Sequence, residues 1–280
     1  MSISVLTNVA SMNAQRNLAK TQSSLSASIG RLSSGLRINS ASDDAAGLGI
    51  SENLKANIRS LAQAQRNAND GISMSQVAEG AMDDMQGIVS RMRELAVQAS
   101  NSTLGATERG YIHTEFGQLS AEINRISAVT NFNGTKLLDG TASTGLTFQV
   151  GIFNTSNDRL AMSITKLTTS TLGSTSLHVA SASLSTAAKA QSAIGAFDKA
   201  IQQLSNARAK VGASQNRMQV TINNLAGSQE ALSAANSRIR DVDVASETAQ
   251  LTKSQILSQA GLAVLAQANQ MPTAALSLLQ

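Results

Sequence analysis

The residues that decide the fold read IGAFDKAIQQLSNARAKVGASQNRMQVTINNLAGSQEALSAANSRI and occupy positions 194–239. Steps of three and four along them land on Ile194, Phe197, Ile201, Leu204, Arg208, Val211, Gln215, Met218, Ile222, Leu225, Gln229, Leu232, Asn236 and Ile239. This is the heptad spacing that keeps one stripe of a helix turned toward a partner. No proline interrupts the stripe, and Gly195, Gly212 and Gly227 fall off it. At 1.5 Å per residue the helix would be ~70 Å long. A helix of this kind takes its stability from tertiary packing more than from propensity. Partners of comparable length should therefore exist elsewhere in the chain. Arg208, Gln215, Gln229 and Asn236 interrupt the stripe with polar side chains, and the pattern leaves open whether they face helices of the same chain or other molecules.

The first partner spans residues 54–99. Leu54, Ile58, Leu61, Ala68 and Ile72 share a stripe, which resumes after a one-residue phase slip at Met74, Ala78, Ala81, Met85, Ile88, Met92, Leu95 and Ala99. A slip of this kind changes the local winding or the neighbour faced. The methionines read as adaptable core filler. After a polar break at 101–105, Ile112, Phe116, Leu119, Ile123 and Ile126 mark a third helix. Three such stripes predict an elongated antiparallel helical bundle or rod, mainly α. Its expected core includes Ile58, Leu61, Met85, Ile88, Phe116, Leu119, Ile123, Ile201, Leu204, Ile222 and Leu225.

Between the helices the period changes. Asn133-Gly134 and Asp139-Gly140 are tight-turn signals. Leu146, Phe148, Val150 and Ile152 alternate with polar residues, as do Leu160, Met162 and Ile164. A small β-hairpin region at about 131–165 follows, and it should lie against the helices because a lone hairpin is marginal in water. Residues 166–183 are Ser/Thr-rich and read as a surface loop, with helix returning near Leu184.

The two ends resemble one another in pattern. Leu18, Leu25 and Leu32 repeat every seven residues, with Ile29 and Leu36 on the adjacent track. At the other end Leu257, Val264 and Met271 repeat by seven, joined by Ile256 and Leu265, and Pro272 is expected to end that helical pattern. Polar breaks rich in turn and cap formers, 39–44 and 241–243, separate both ends from the long helices. Each end reads as a thin coiled-coil seam in preference to an ordinary surface helix. Seams this thin cannot offset the entropy of ordering them, so they should gain structure against other copies of the chain. A head-to-tail contact that does not close on itself makes a filament.

Composition narrows the chemistry. The chain has 280 residues, 42% hydrophobic but only 2% aromatic, with no cysteine, no tryptophan and one proline. Alanine and aliphatic residues in that proportion suit closely approaching helices. The net charge of +4 is scattered, without a basic run interleaved with aromatics, so nucleic-acid binding is not expected. Absence of cysteine removes disulfides and thiolate chemistry. His113 and His178 stand apart, without the convergent ligands a metal site needs. No catalytic, cofactor or metal motif is present, and the chain is not expected to be an enzyme. The first residues, MSISVLTNVA, lack a basic n-region and a sustained apolar stretch, so neither a cleaved signal peptide nor membrane insertion is expected.

Several stretches carry a resemblance. RLSSGLRINSASDDAAG at 31–47, RMRELAVQ at 91–98, FNGTKLL at 132–138, FQVG at 148–151, SRIRDVD at 237–243 and QANQMPTAALSLL at 267–279 together resemble bacterial flagellin, in the right order over nearly the whole chain. The resemblance implies a discontinuous inner coiled-coil domain from residues 1–44 and 240–280. It also implies a rod domain from 45–239 and, because only 166–183 follow the hairpin, no outer variable domain. Leu18, Leu25, Ile29, Leu32, Ile256, Leu257, Val264 and Leu265 would then pack subunits together. The implied function is a self-assembling subunit of the extracellular flagellar filament, exported without a cleaved signal peptide through the flagellar type III channel. Implied partners are an export chaperone, a cap protein and hook–filament junction proteins. A Toll-like receptor of animal hosts would contact Arg91, Leu95 and Glu115. A hook–filament junction protein and a secreted monomeric adhesin are the alternatives.

Overall fold

A computed structural model describes residues 7–277, with side-chain surroundings as far as Met271; the outermost parts of both terminal seams lie outside the described residues. Five long helices account for most of the described chain: α1 (Val9–Ser34), α2 (Ala45–Ala99), α3 (Ala106–Val129), α4 (Ala187–Arg240) and α5 (Val244–Ser277). Two small antiparallel sheets lie between α3 and α4 in sequence. One pairs β1 (Asn131–Phe132) with β2 (Thr135–Lys136), and the other pairs β3 (Leu146–Gln149) with β4 (Arg159–Met162). The chain divides into two compact units, one built from both chain ends up to Ile58 and from Glu230, the other from Arg59–Gln229.

In the Arg59–Gln229 unit the seam of α2 is continuous. Its buried positions are Leu61, Ala64, Ala68, Gly71, Ser75, Ala78, Met82, Met85, Val89, Met92, Ala96 and Ala99, an unbroken alternation of threes and fours. The expected phase slip is therefore absent. Ala64, Gly71 and Ser75 carry the stripe through that region, and residues this small do not register in a scan for apolar bulk. They matter because they let the helices approach: a Cβ added at Gly71 would lie 2.7 Å from Met218 Sδ on α4. Along α4 the innermost positions are likewise Ala193, Phe197, Ala200, Leu204, Ala207 and Val211. Ile194 and Ile201 flank them half-buried, as do Ile88 on α2 and Leu119 on α3. Leu61, Met85, Phe116, Ile123, Leu204, Ile222 and Leu225 are buried.

Three polar interruptions of the α4 stripe, Arg208, Gln215 and Asn236, turn toward α2 of the same chain. Arg208 Nη1 lies 2.8 Å from Asp83 Oδ1 and donates to Gln86 Oε1 at 3.0 Å. Gln215 Nε2 donates to Glu79 Oε2 at 3.1 Å. These pairs close the flank of an apolar seam without burying an unpaired charge, which would cost several kcal/mol.

The β region follows its turn chemistry. Asn133 and Gly134 both take positive φ, 48° and 81°, as a two-residue hairpin turn requires. The longer pair holds the register Leu146↔Met162 to Gln149↔Arg159. It leans on the helices through Val150 and Leu160, which join Ala68, Met218 and Ile222 in one buried cluster.

Residues 166–183 are not a surface excursion. Leu167, Leu172, Val179 and Ala182 are buried, and Leu184 beyond them has no exposed surface. The backbone is tied in as well: Leu167 N donates to Leu138 O and Val179 N to Leu172 O, each at 2.9 Å. Gln203 on α4 clamps Gly173 from both sides, accepting from its N–H at 2.9 Å and donating to its carbonyl at 3.0 Å. These apolar residues, spaced five, seven, three and two apart, keep no single helix or strand period, and the surrounding serines and threonines mask them.

Candidate assembly surface

In the unit formed by the chain ends, α1 and α5 are a pair of antiparallel helices. Asn8 meets Ala268 at one end of the pair, Arg31 pairs with Glu247 further along, and Leu36 bridges Asp241 at the other end. On α1 the inward positions are Ser11, Ala14, Leu18, Thr21, Leu25, Ser28 and Leu32; on α5 they are Glu247, Leu251, Ser254, Ser258, Gly261, Leu265 and Ala268. Both series step by threes and fours, the knobs-into-holes spacing. Small and hydroxyl-bearing residues dominate. Ser28 and Ser254 are 2% exposed. A Cβ added at Gly261 would lie 3.3 Å from Leu18 Cδ1, so the glycine is the hole that receives Leu18.

Both helices are closed by local chemistry. The Asn8 side chain caps α1 by accepting from Ser11 N at 3.0 Å, and Gly35 ends it in the left-handed region at φ 71°. Asp243 Oδ1 accepts from Ala245 N at 3.0 Å and starts α5. Pro272 does not end α5, which continues to Ser277. A proline inside a helix removes the bond to the carbonyl four residues earlier, here that of Ala268. The Asn8 carboxamide donates to that carbonyl at 2.7 Å.

A short ladder joins the two polar breaks. Arg37 N donates to Arg240 O at 2.6 Å and Val242 N to Gly35 O at 3.0 Å. Beside it, Arg240 Nη1 pairs with Glu52 Oε1, and Ser51 Oγ donates to Asn236 Oδ1 at 2.7 Å. The Arg240 guanidinium, and then Lys55, hold the Glu52 carboxyl below its usual range. Asp43 accepts from Ser40 N at 2.9 Å, from Ser40 Oγ at 3.0 Å and from Asn39 N at 3.2 Å, and these bonds lower its pKa too.

The outward face of the pair is apolar. Leu18, Leu25, Leu32 and Leu265 sit half-buried in the seam, whereas Ile29, Ile256, Leu257 and Val264 are exposed, Ile256 at 60%. Val9, Met12, Leu262 and Met271 join them. Larger apolar side chains thus lie on both faces, and inside the contact they alternate with serines and other small residues. A scan for bulky residues finds the outer face and misses Ser254, Ser258 and Gly261. Their own three-four spacing is the signal that could have revealed them.

Arg91 and Glu115 do meet. The Arg91 guanidinium lies 2.9 Å from Glu115 Oε1 and 3.1 Å from Glu94 Oε2, and these carboxylates, Glu115 foremost, raise its pKa. Leu95 instead points into the core at 1% exposure. Both histidines are part of the packing: His113 stacks on Phe116 and its Nδ1 accepts from Leu184 N, while His178 Nδ1 is buried. No helix of the described residues is long and apolar enough to cross a membrane, and none of their acidic, histidine or cysteine side chains cluster to hold a metal.

Paired terminal helices with an exposed apolar face belong to a class of protein that keeps a surface open for packing against another molecule. Residues 5–143 match the bacterial flagellin N-terminal helical region and residues 194–279 the bacterial flagellin C-terminal helical region. The flagellin of Halalkalibacterium halodurans is 47% identical over 275 residues, covering 98% of both chains. The flagellar filament 33 kDa core protein of Treponema phagedenis is 42% identical over 283 residues, again covering 98% of each. The crystal structure of Bacillus cereus flagellin is 32% identical, covers 57% of this chain and 88% of that one, and superposes with a TM-score of 0.48. The chain belongs to the bacterial flagellin family and serves as a structural, self-polymerising subunit of the extracellular flagellar filament that drives motility.

Proposed function

We propose that this flagellin assembles by laying the outer apolar faces of α1 and α5 against the same helices of other copies. Residues 1–44 and 240–280 then form an inner domain of the filament wall, with 45–239 as the rod domain outside it. The observation that carries the reading is the division of apolar side chains between two faces: Leu18, Leu25, Leu32 and Leu265 lie in the α1–α5 contact among serines and Gly261, while Ile29, Ile256, Leu257 and Val264 lie outside it. A coiled-coil pair that satisfied itself would leave no such second apolar set exposed. Burying each of the outer aliphatic side chains contributes about 1.5–3 kcal/mol, and that contribution recurs at every copy added. Leu18, Leu25, Leu32 and Leu265 close each pair.

The short interval 166–183, folded into the core, supports a flagellin without an outer variable domain. Assembly outside the cell calls for an export chaperone on the C-terminal segment, a cap protein and hook–filament junction proteins, with export that uses no cleaved signal peptide. For a Toll-like receptor of animal hosts, Arg91 and Glu115 offer an exposed charged pair, and buried Leu95 fixes the helix beneath it.

Deletion of residues 1–35 or 245–280 tests the reading. Seeded with filament fragments and imaged, either truncated chain should give no filaments, while circular dichroism retains most of the helicity. Normal filaments from either truncation would overturn it.

A further inference from the structure

The β3–β4 hairpin carries an exposed knob on one side and a groove on the other. Among the five phenylalanines and one tyrosine, only Phe153 and Tyr111 are exposed, and Phe153 is 63% exposed without a hydroxyl to engage water. It is not on a loose loop. The Gln149 carboxamide donates to Gly151 O at 3.0 Å and to Phe153 O at 2.9 Å, and Thr155 Oγ1 donates to Asp158 Oδ2 at 2.6 Å. Gly151 is wedged so tightly that an added Cβ would lie 1.7 Å from Asp158 Oδ1. A rigidly presented, water-exposed aromatic is the form of a binding anchor, because little ordering entropy remains to be lost on contact.

Phe153 stands beside a groove of about 410 Å³ on the α2 side of the hairpin, lined with Gln63 and Asn67. On the α4 side a second groove, of about 460 Å³, has Val150 and Leu160 as its floor, Val220 as an exposed wall, and Arg159 and Arg217 at its rim. The two grooves share no residue. The Arg217 guanidinium has no partner among the described residues, whereas Arg159 already donates to Gln149 Oε1 at 3.3 Å and to Asn154 Oδ1; an unengaged guanidinium over an apolar floor suits an aromatic ring.

We infer that Phe153 of one copy inserts into the Val150–Leu160–Val220 groove of the next, between Arg159 and Arg217. Knob and groove are different patches, so the contact is heterologous and propagates as an open helix instead of closing as a dimer. The inference rests on the filament reading above and adds a contact within the Arg59–Gln229 unit to the one made by the terminal helices.

The native chain has no cysteine, which makes the test clean. Phe153→Cys and Val220→Cys chains are polymerised separately and as an equal mixture, then treated with a short bismaleimide. Mixed filaments should yield covalent dimers, and filaments of either variant alone should yield none. Mixed filaments of normal form without dimers would overturn the contact, whereas failure of the unaltered chain to form filaments would overturn the filament reading itself. Should either cysteine chain not assemble, the critical concentration of Phe153→Ser decides: a rise of about tenfold or more with monomer helicity unchanged supports the contact, and an unchanged value contradicts it.

Discussion

The side chain of Asn8 donates to the carbonyl of Ala268 across 260 residues of sequence, at 2.7 Å. That carbonyl is the one Pro272 cannot engage, so one asparagine caps the first turn of α1 and satisfies the proline-interrupted turn of α5. Asn8→Asp keeps the capping oxygen but loses the donor, and Asn8→Ala loses both. The expected order of protection of the Ser11 amide in hydrogen exchange is native, then Asp, then Ala. Loss of the cap should cost about 1 kcal/mol. Equal protection in the two variants would mean that the cap and the Ala268 bond do not depend on separate atoms.

A Cβ at Gly71 would meet Met218 Sδ at 2.7 Å and Cε at 2.8 Å and would have to push that side chain aside. Gly71→Val should destabilise the Arg59–Gln229 unit by about 1–3 kcal/mol through overpacking. Met218→Ala should restore part of the loss in the double variant. Chemical denaturation followed by circular dichroism measures both. Independent, additive losses would show that the two positions do not share one gap.

Gly261 is the corresponding gap in the α1–α5 pair, occupied by Leu18. Gly261→Val should raise the critical concentration for polymerisation several-fold, since a β-branched residue there holds the helices apart. Denaturation of the Arg59–Gln229 unit should be unchanged. A shift in that second transition would show the effect to be general loss of folding.

Acid should loosen the unit formed by the chain ends. Asp43 and Glu52 both have folded pKa values below their ordinary 3.8 and 4.5. A lowered folded pKa means stability that is present in full above the unfolded value and is lost as the pH falls through the folded one. The loss therefore belongs below about pH 4.5, and neutral pH leaves it intact. Asp43→Asn and Glu52→Gln should flatten the helicity-versus-pH curve in that range. Because both groups are exposed, salt should shrink the effect. A pH dependence centred near neutrality would contradict this assignment.

Much of the architecture is legible in residues 194–239 and 54–99, because large apolar side chains at heptad spacing leave helices few alternatives. What escapes the sequence is written in small residues. Ala64, Gly71 and Ser75 make the α2 seam continuous where bulk alone suggests a slip, and Ser254, Ser258 and Gly261 form the α5 contact where Leu257 and Val264 attract the eye. Residues 166–183 hide four buried apolar positions among serines and threonines, without a period to expose them. Pro272 reads as a stop because the compensating donor, Asn8, lies at the far end of the chain. The alternation of Leu160, Met162 and Ile164 is plain by contrast, since a strand with one buried face repeats every second residue.

The proposed assembly depends on the outer face of α5 being the surface that copies share. Ile256, Leu257 and Val264 are all exposed, so replacing them together with serine should leave the single chain folded. Seeded polymerisation of that triple variant, imaged by electron microscopy beside the unaltered chain, is the most direct measurement. No filaments from a variant whose helicity matches the native monomer is the expected result. Filaments of normal length at the normal critical concentration would contradict it.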